Sequence, residues 1–218
     1  MTVVMRQREP LELHQVDEYS CLSCVTTNVL YVLGVTDTPD TQWVDREVAR
    51  EPGCGAQRTA VRRFLLQQGL WLHMVCAYEP ERFLQEGFDY LRRYYRQEWD
   101  SSWDGYWTRH RLEQHRRECL AAQELNTFGA RIGTEHRQPT LADIRGALDR
   151  GHLVWISVDN DLGKVDCHAV LVYRQRGDVF DVYSPEISRS CLQQYRRRRL
   201  DRAWLRSEGM AAVWRREP

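Results

Sequence analysis

The stretch QVDEYSCLSC, residues 15–24, decides how this 218-residue chain should fold. It leads into a segment whose apolar residues recur at helical spacing and which stops at Gly34, so we predict a helix from about Cys21 to Leu33. The triplet VTT at 25–27 is poor in intrinsic helix formers, and packing must therefore hold the helix together. We expect a central, buried helix that begins at Cys21.

A cysteine at the start of a helix is well placed for nucleophilic chemistry. The thiolate is the reactive form of cysteine, and the N-terminus of a helix favours negative charge. The backbone N–H of Cys21 and the side-chain amide of Gln15, six residues upstream, could both donate to the oxygen of a tetrahedral intermediate. We therefore expect Cys21 to be a nucleophile and Gln15 an oxyanion donor.

A base for this nucleophile has to come from another part of the chain. Three apolar segments at 152–158, 167–173 and 178–183 are separated by turn sequences, which predicts an antiparallel meander. His168 stands at the start of the middle strand, where a rigid sheet would support its ring. A lone histidine in an apolar strand is more often a core residue, so the case for His168 as the base depends on its combination with Cys21.

Other elements are predicted from periodicity and capping. We expect a helix at 56–68 followed by a strand at 70–75, and a helix capped by Thr140 and Asp143. In the tail we expect a helix at 191–206 and a last strand at 210–214.

Residues 80–138 differ in composition from the rest of the chain, because aromatic and charged residues are mixed there. The segment 107–125 has an amphipathic helical pattern. We predict one domain, residues 1–218, with 80–138 as a helical insertion or lid. Aromatic side chains that pack this insertion onto the body explain its composition more simply than side chains that line a substrate site.

Three stretches taken together resemble a known family: QVDEYSCLSC at 15–24, GHLVWI at 151–156 and DCHAVLVY at 166–173. They are similar to the papain-like bacteriocin-leader peptidases and their stand-alone relatives, over the first 35 residues and about 139–186. The resemblance implies an α+β, papain-like fold, with an N-terminal catalytic helix packed on an antiparallel sheet.

The resemblance also implies roles for single residues: Cys21 matches the nucleophile, His168 the base and Gln15 the oxyanion glutamine. Two positions depart from the family pattern. Leu22 stands where glycine usually follows the nucleophile, and Ser184 stands where the family has the aspartate of an Asp-Pro pair.

Because Ser184 replaces the family aspartate, the identity of the residue that orients His168 is not determined by the resemblance. Asp166 has the same strand parity as His168, and Glu186 follows the proline. Asp181 is near in sequence, although alternation places it on the opposite face from Ser184. The candidate orienters are therefore Asp166, Asp181, Ser184 and Glu186.

Composition excludes several classes of function. Lys and Arg together number 31, as do Asp and Glu, so no net field favours nucleic acid or a membrane surface. We find neither a signal-peptide pattern in the first 15 residues nor a run of about 20 apolar residues, and we expect a cytoplasmic protein. The seven cysteines do not suggest a disulfide framework, and no metal or cofactor is expected.

These observations predict acyl transfer through a thioester on Cys21, with an amide, peptide or thioester as substrate. Transfer to water would make the protein a peptidase or amidase, and transfer to an amine would make it a biosynthetic acyltransferase. The arginine run 196–199 could then meet an acidic partner such as an acyl carrier protein.

Two alternatives stay open. Leu22 and Ser184 favour a binding or regulatory module with impaired catalysis. The Cys-x-x-Cys pair, Cys21 and Cys24, is the pattern of a thiol redox protein.

Overall fold

The computed structural model describes residues 8–51, 54–96, 105, 107–159, 167–187, 190–205 and 208–216. The helices are α1 (Cys21–Val32), α2 (Thr41–Glu47), α3 (Arg58–Gln67), α4 (Pro80–Glu86), α5 (Phe88–Tyr94), α6 (Arg109–Glu124), α7 (Leu141–Asp149) and α8 (Arg197–Ala203), with a 3₁₀ segment at Leu125–Arg131. The strands are β1 (Trp71–Val75), β2 (Ile132–Glu135), β3 (Leu153–Asp159), β4 (Cys167–Arg176), β5 (Val179–Tyr183), β6 (Leu192–Arg196) and β7 (Met210–Trp214).

The strands form one sheet in the order β2-β1-β7-β3-β4-β5-β6. All neighbours are antiparallel except β1 and β2, which are parallel. The predicted meander is confirmed as β3, β4 and β5, in a register that sets His168 opposite Val158. The α+β fold class is therefore confirmed, although the sheet is mixed rather than purely antiparallel.

Helix α1 is the buried central helix that the sequence predicts. It packs against β4, and its residues are buried except Cys21 and Tyr31. The hydroxyls of Thr26 and Thr27 donate to the carbonyls of Leu22 and Ser23 within the helix, at 2.7 and 2.8 Å. These bonds satisfy two polar groups that would otherwise be costly to bury, so the weak helix formers are tolerated in the core.

The sheet separates two cores because successive side chains of a strand point to opposite faces. On the face that carries α1, Leu153, Trp155 and Leu171 join the larger core. On the other face, Ile156 and Val170 pack with the apolar side of α7 and with residues of α8. Both faces of the central strands are covered, which makes them a rigid support for residues at their ends.

Helices α4, α5 and α6 lie in the segment for which we predict an insertion, and they have a small core of their own, made by Phe83, Tyr90, Leu91 and Cys119. The Tyr78 hydroxyl lies 2.7 Å from His115 Nε2 within the surrounding ring cluster. The aromatic side chains that the structure describes pack among themselves within this segment.

The predicted boundary of the insertion is wrong for residues 132–135. These residues form β2, which pairs with β1 at the sheet edge. Their sequence, IGTE, lacks an apolar alternation, and backbone pairing with β1 decides their conformation.

The tail prediction is also wrong in part. In place of one helix over 191–206, β6 pairs with β5 and only Arg197–Ala203 is helical. Tyr195 turns its ring into the core while its neighbours Gln194 and Arg196 are exposed, an alternation that a helical reading overlooks. The last strand, Met210–Trp214, is confirmed.

None of the helices in the described part of the chain combines the length and the apolar character that crossing a membrane requires.

Candidate active site

Cys21 is the first residue of α1 and is half-buried. The loop before it is fixed by Ser20, whose Oγ accepts from the N–H groups of Val16 and Asp17 at 3.1 and 3.3 Å. The Ser20 side chain is therefore turned to the loop rather than to the N–H groups of the first helical turn. Cys21 thus stands where the helix dipole favours a thiolate.

The side-chain amide of Gln15 lies beside the backbone of Cys21. Hydrogen bonding places Nε2 2.9 Å from the Pro185 carbonyl, to which it donates, and Oε1 3.0 Å from the Cys21 N–H, from which it accepts. A half turn of the amide would bring Nε2 next to the Cys21 N–H. Because the torsion of a terminal amide is soft, both groups could then donate to one oxygen.

His168 is the second residue of β4 and is only 5% exposed. Its Nε2 lies 3.1 Å from Ser184 Oγ. Burial lowers the pKa of the imidazole to about 4, because the charged form loses its hydration. The ring is therefore neutral near pH 7 and has a nitrogen that can accept a proton.

The segment Ser184–Glu186 contacts two of the three predicted site residues, His168 and Gln15. Ser184 contacts His168, and the next carbonyl, that of Pro185, accepts from the Gln15 amide. The carbonyl of Glu186 accepts from the backbone N–H of Gln15 at 3.3 Å. Gln15 in turn contacts the backbone N–H of Cys21, so the segment is linked to His168 on one side and to the start of α1 on the other.

Of the four candidate orienters, Asp181 is committed elsewhere. It is buried and accepts from Arg174 at 2.5 Å, Arg176 at 3.0 Å and Gln194 at 3.1 Å. Burial raises its pKa, but hydrogen bonds from the two arginines and Gln194 outweigh this and leave the pKa below its usual value. Asp181 is therefore corrected to a structural residue on the strand face opposite Ser184.

Of the other three candidates, the structure describes Ser184 and Glu186. Asp166 lies outside the described residues. Ser184 contacts His168 directly, and its Oγ lies 3.4 Å from Oε1 of Glu186. Ser184 and Glu186 are thus the candidates that the structure joins to the histidine.

Leu22 departs from the family pattern without entering the site. Its side chain is 6% exposed and belongs to the core beneath α1. The position after Cys21 is therefore a packing position in this chain.

Cys24 is fully buried, with its Sγ 3.6 Å from the His14 carbonyl. Burial raises the pKa of its thiol to about 12, and the nearby Cys21 adds to the rise. A thiol that stays protonated is a poor partner for thiol exchange. The six cysteines whose side chains are described are all free thiols.

A small recess lined by Arg58, Ser157 and Glu208 was not expected from the sequence. Arg58 forms an ion pair with Glu208 there and donates from Nη2 to Ser157 Oγ at 3.3 Å. Ser157 pairs with Ala169 in the sheet, one register position from His168. The sequence carries no signal for this recess, because its residues come from three separate elements.

Within the described ranges, no group of three or more His, Cys, Asp or Glu side chains is arranged to hold a metal ion.

No protein-family model matches the chain, and no curated protein matches it. One similar solved structure is a double glycine motif protease from an AMS/PCAT transporter in complex with the leader peptide. It is 12% identical with a TM-score of 0.47, and the match covers 97% of this chain and 94% of that chain. Another is the peptidase domain of Streptococcus ComA, a bifunctional ABC transporter involved in a quorum sensing pathway, at 11% identity and a TM-score of 0.48, covering 93% and 94%. At these identities and TM-scores the likeness does not assign an activity, which has to come from the site.

Proposed function

We propose that this protein is a papain-like cysteine peptidase that cleaves an amide bond through a thioester on Cys21. The observation that carries the proposal is the position of the Gln15 amide, 3.0 Å from the Cys21 N–H and bonded to the segment that contacts His168. A nucleophile at a helix start, a neutral imidazole and two possible oxyanion donors are the parts that acyl transfer needs.

The first half of the reaction forms the acyl-enzyme. His168 takes the thiol proton, and Cys21 Sγ attacks the substrate carbonyl carbon. The Cys21 N–H and the rotated Gln15 amide donate to the oxygen that becomes negative. As the C–N bond breaks, the imidazolium returns its proton to the leaving amine, and a thioester stays on Cys21.

The second half releases the acid. His168 removes a proton from water as the water oxygen attacks the thioester carbon. The C–S bond breaks, the carboxylic acid leaves and the proton returns to the Cys21 thiolate. The cycle ends with the enzyme as it began.

Exposed apolar side chains around the site favour a peptide as the substrate. Val16 is 65% exposed, Tyr19 45% and Ile187 58%, and each lies within two residues of Gln15, Cys21 or Glu186. Large apolar groups that face solvent around a cleft are typical of binding surfaces. We infer that apolar residues of the substrate pack against these three side chains.

A second candidate is amide formation, in which an amine replaces water at the thioester. The observation that favours it is the row of exposed arginines at 196–199, on β6 and the start of α8. Such a row would attract an acidic partner, and an acyl carrier protein that delivers a carrier-bound acyl group has that character.

Mass spectrometry of the intact protein tests both candidates. We expect an acyl adduct with an activated peptide ester, lost in Cys21→Ala but kept in Cys54→Ala, which removes an exposed cysteine. Turnover should fall by about 10⁴-fold in Cys21→Ala. Faster loss of the adduct with an added amine than with water alone would favour the acyltransferase.

Alkylation rates of Cys21 measured across pH can contradict the proposal that the protein is an enzyme. If Cys21 reacts with a midpoint near that of an ordinary thiol, about 8.5, and forms no adduct, the protein is a binding module rather than an enzyme.

A further inference from the structure

At the position where the family pattern has one carboxylate, this chain has a series of two contacts that joins His168, Ser184 and Glu186. His168 Nε2 lies 3.1 Å from Ser184 Oγ, and Ser184 Oγ lies 3.4 Å from Glu186 Oε1. A hydroxyl can accept one hydrogen bond and donate another at the same time. The Ser184 hydroxyl can therefore accept from Nε2–H and donate to the Glu186 carboxylate.

The direction of these bonds is set by the carboxylate. An ionised carboxylate only accepts, so the Ser184 proton points to Glu186 and a lone pair is left for His168. The neutral imidazole then keeps its proton on Nε2, and Nδ1 is the nitrogen free to accept one. This is the tautomer that a base acting through Nδ1 requires.

The backbone holds this line of groups in place. The Ser184 N–H donates to the Cys191 carbonyl at 2.8 Å, and Pro185 is buried. The carbonyl of Glu186 accepts from the Gln15 N–H and lies 3.0 Å from His14 Nδ1. Positions fixed in this way make the contacts of Ser184 and Glu186 a property of the fold.

We propose that Ser184 and Glu186 are positioning residues that hold His168 in the Nε2–H tautomer and place a carboxylate one hydroxyl away from the imidazolium formed in the reaction. The role assigned to the imidazolium rests on the function proposed above. Without an acceptor on Nε2, a buried imidazolium would cost several kcal/mol.

Among the groups that the structure describes around His168, Glu186 is the carboxylate that a single hydroxyl joins to the ring. On α1 the first residue, Cys21, carries a thiol, and from the loop before it the neutral Gln15 amide contacts the segment that follows Ser184. From β3 the residue opposite is Val158, followed by the exposed carboxylate of Asp159 across from Cys167. On β5, Asp181 is bound by Arg174 and Arg176.

NMR of the full-length protein with ¹⁵N-labelled histidine tests the proposal without any turnover. In the unmodified chain we expect the His168 proton on Nε2 at pH 7. Ser184→Asp should keep this tautomer and raise the His168 pKa by roughly one to three pH units, because a carboxylate then contacts the ring. Glu186→Gln should lower the pKa. Glu12→Gln is the matched control, since Glu12 is a carboxylate that accepts from Ser190 at 2.6 Å instead, and it should leave His168 unchanged.

Ser184→Ala separates a positioning role from a structural one. If positioning is correct, the folded variant has a mixture of the two neutral tautomers, and Ser184→Thr restores the Nε2–H form. An unchanged tautomer in Ser184→Ala, or an unchanged His168 pKa in Glu186→Gln, overturns the proposal. Glu186 is only half-buried, so its variant should fold even if Ser184→Ala does not. Failure of Cys21 to form an acyl adduct would count against the proposed function and would leave the NMR result standing.

Discussion

Leu22 and Ser184 are the two residues at which the site departs from the family pattern, and their surroundings differ. The Leu22 side chain fills the core under α1, where a larger apolar group is stabilising. The Ser184 hydroxyl contacts His168 instead, at 3.1 Å. The first departure affects packing under α1, whereas the second places a neutral hydroxyl beside His168.

Gly209 shows how tightly a single residue near the recess is constrained. Its φ is +76°, and a Cβ there would lie 2.8 Å from Cys76 Cβ and 2.9 Å from the Val75 carbonyl. We predict that Gly209→Ala lowers the free energy of unfolding by about 3 kcal/mol or more, from strain and overlap together. Gly177 has a φ of +58° with no described atom within 4 Å of such a Cβ, so Gly177→Ala should cost only about 1 kcal/mol. Urea denaturation measures both, and equal losses would contradict this account.

Strand β5 is the element that organises the site side of the sheet. Ser184 directly follows it, and Asp181 within it binds side chains of both neighbouring strands. The Tyr183 hydroxyl donates to the Leu13 carbonyl at 2.5 Å, which fixes the segment leading to Gln15. The strand therefore positions Ser184 and the segment leading to Gln15, two parts of the proposed site.

The substitution Asp181→Asn tests that strand. It removes the charge that Arg174 and Arg176 share, and we expect the free energy of unfolding to fall by about 2 kcal/mol. The arginines are 42% and 59% exposed and can turn to water, which limits the loss. Asp178→Asn is the matched control, because that carboxylate is 79% exposed, and thermal denaturation should show little change for it. A similar effect in both variants would mean that Asp181 is not a structural anchor.

The stability of the whole molecule should depend on pH through one buried histidine, His168, and one half-buried histidine, His152. Burial lowers the pKa of His168 to about 4, and burial together with Arg150 and His73 lowers that of His152 to about 4. The unfolded chain, with an ordinary histidine pKa near 6.5, then binds more protons than the folded one between these values. The stability that these two histidines contribute is thus fully present above about pH 6.5 and is lost as the pH falls toward 4.

We predict that His168→Gln flattens the stability curve between pH 6.5 and 4. The contribution of His168 over this window is on the order of 3 kcal/mol. Denaturant midpoints measured at several pH values for the unmodified chain, His168→Gln and the double variant with His152→Gln would show the slope decreasing in steps. A slope that His168→Gln leaves unaltered would show that the ring is not buried as described.

Much of the fold could be predicted from local patterns in the sequence. The helix from Cys21, the helix capped by Thr140 and Asp143 and the meander around His168 depend on periodicity and capping within about ten residues. Strand β2 could not be predicted, because its polar sequence becomes a strand only when β1 offers its backbone. Strand β6 has a weak alternation around Tyr195 that the sequence analysis missed.

The sequence by itself determined which residues carry reactive groups and on which elements they stand, since spacing alone relates Gln15 to Cys21 and sets the parity of Ser184 and Asp181. Only the tertiary structure decided which of them meet. It paired Asp181 with arginines, placed Leu22 in the core and set Ser184 between His168 and Glu186. The physical reason is that contacts between elements distant in sequence depend on how those elements pack, and no local pattern records that packing.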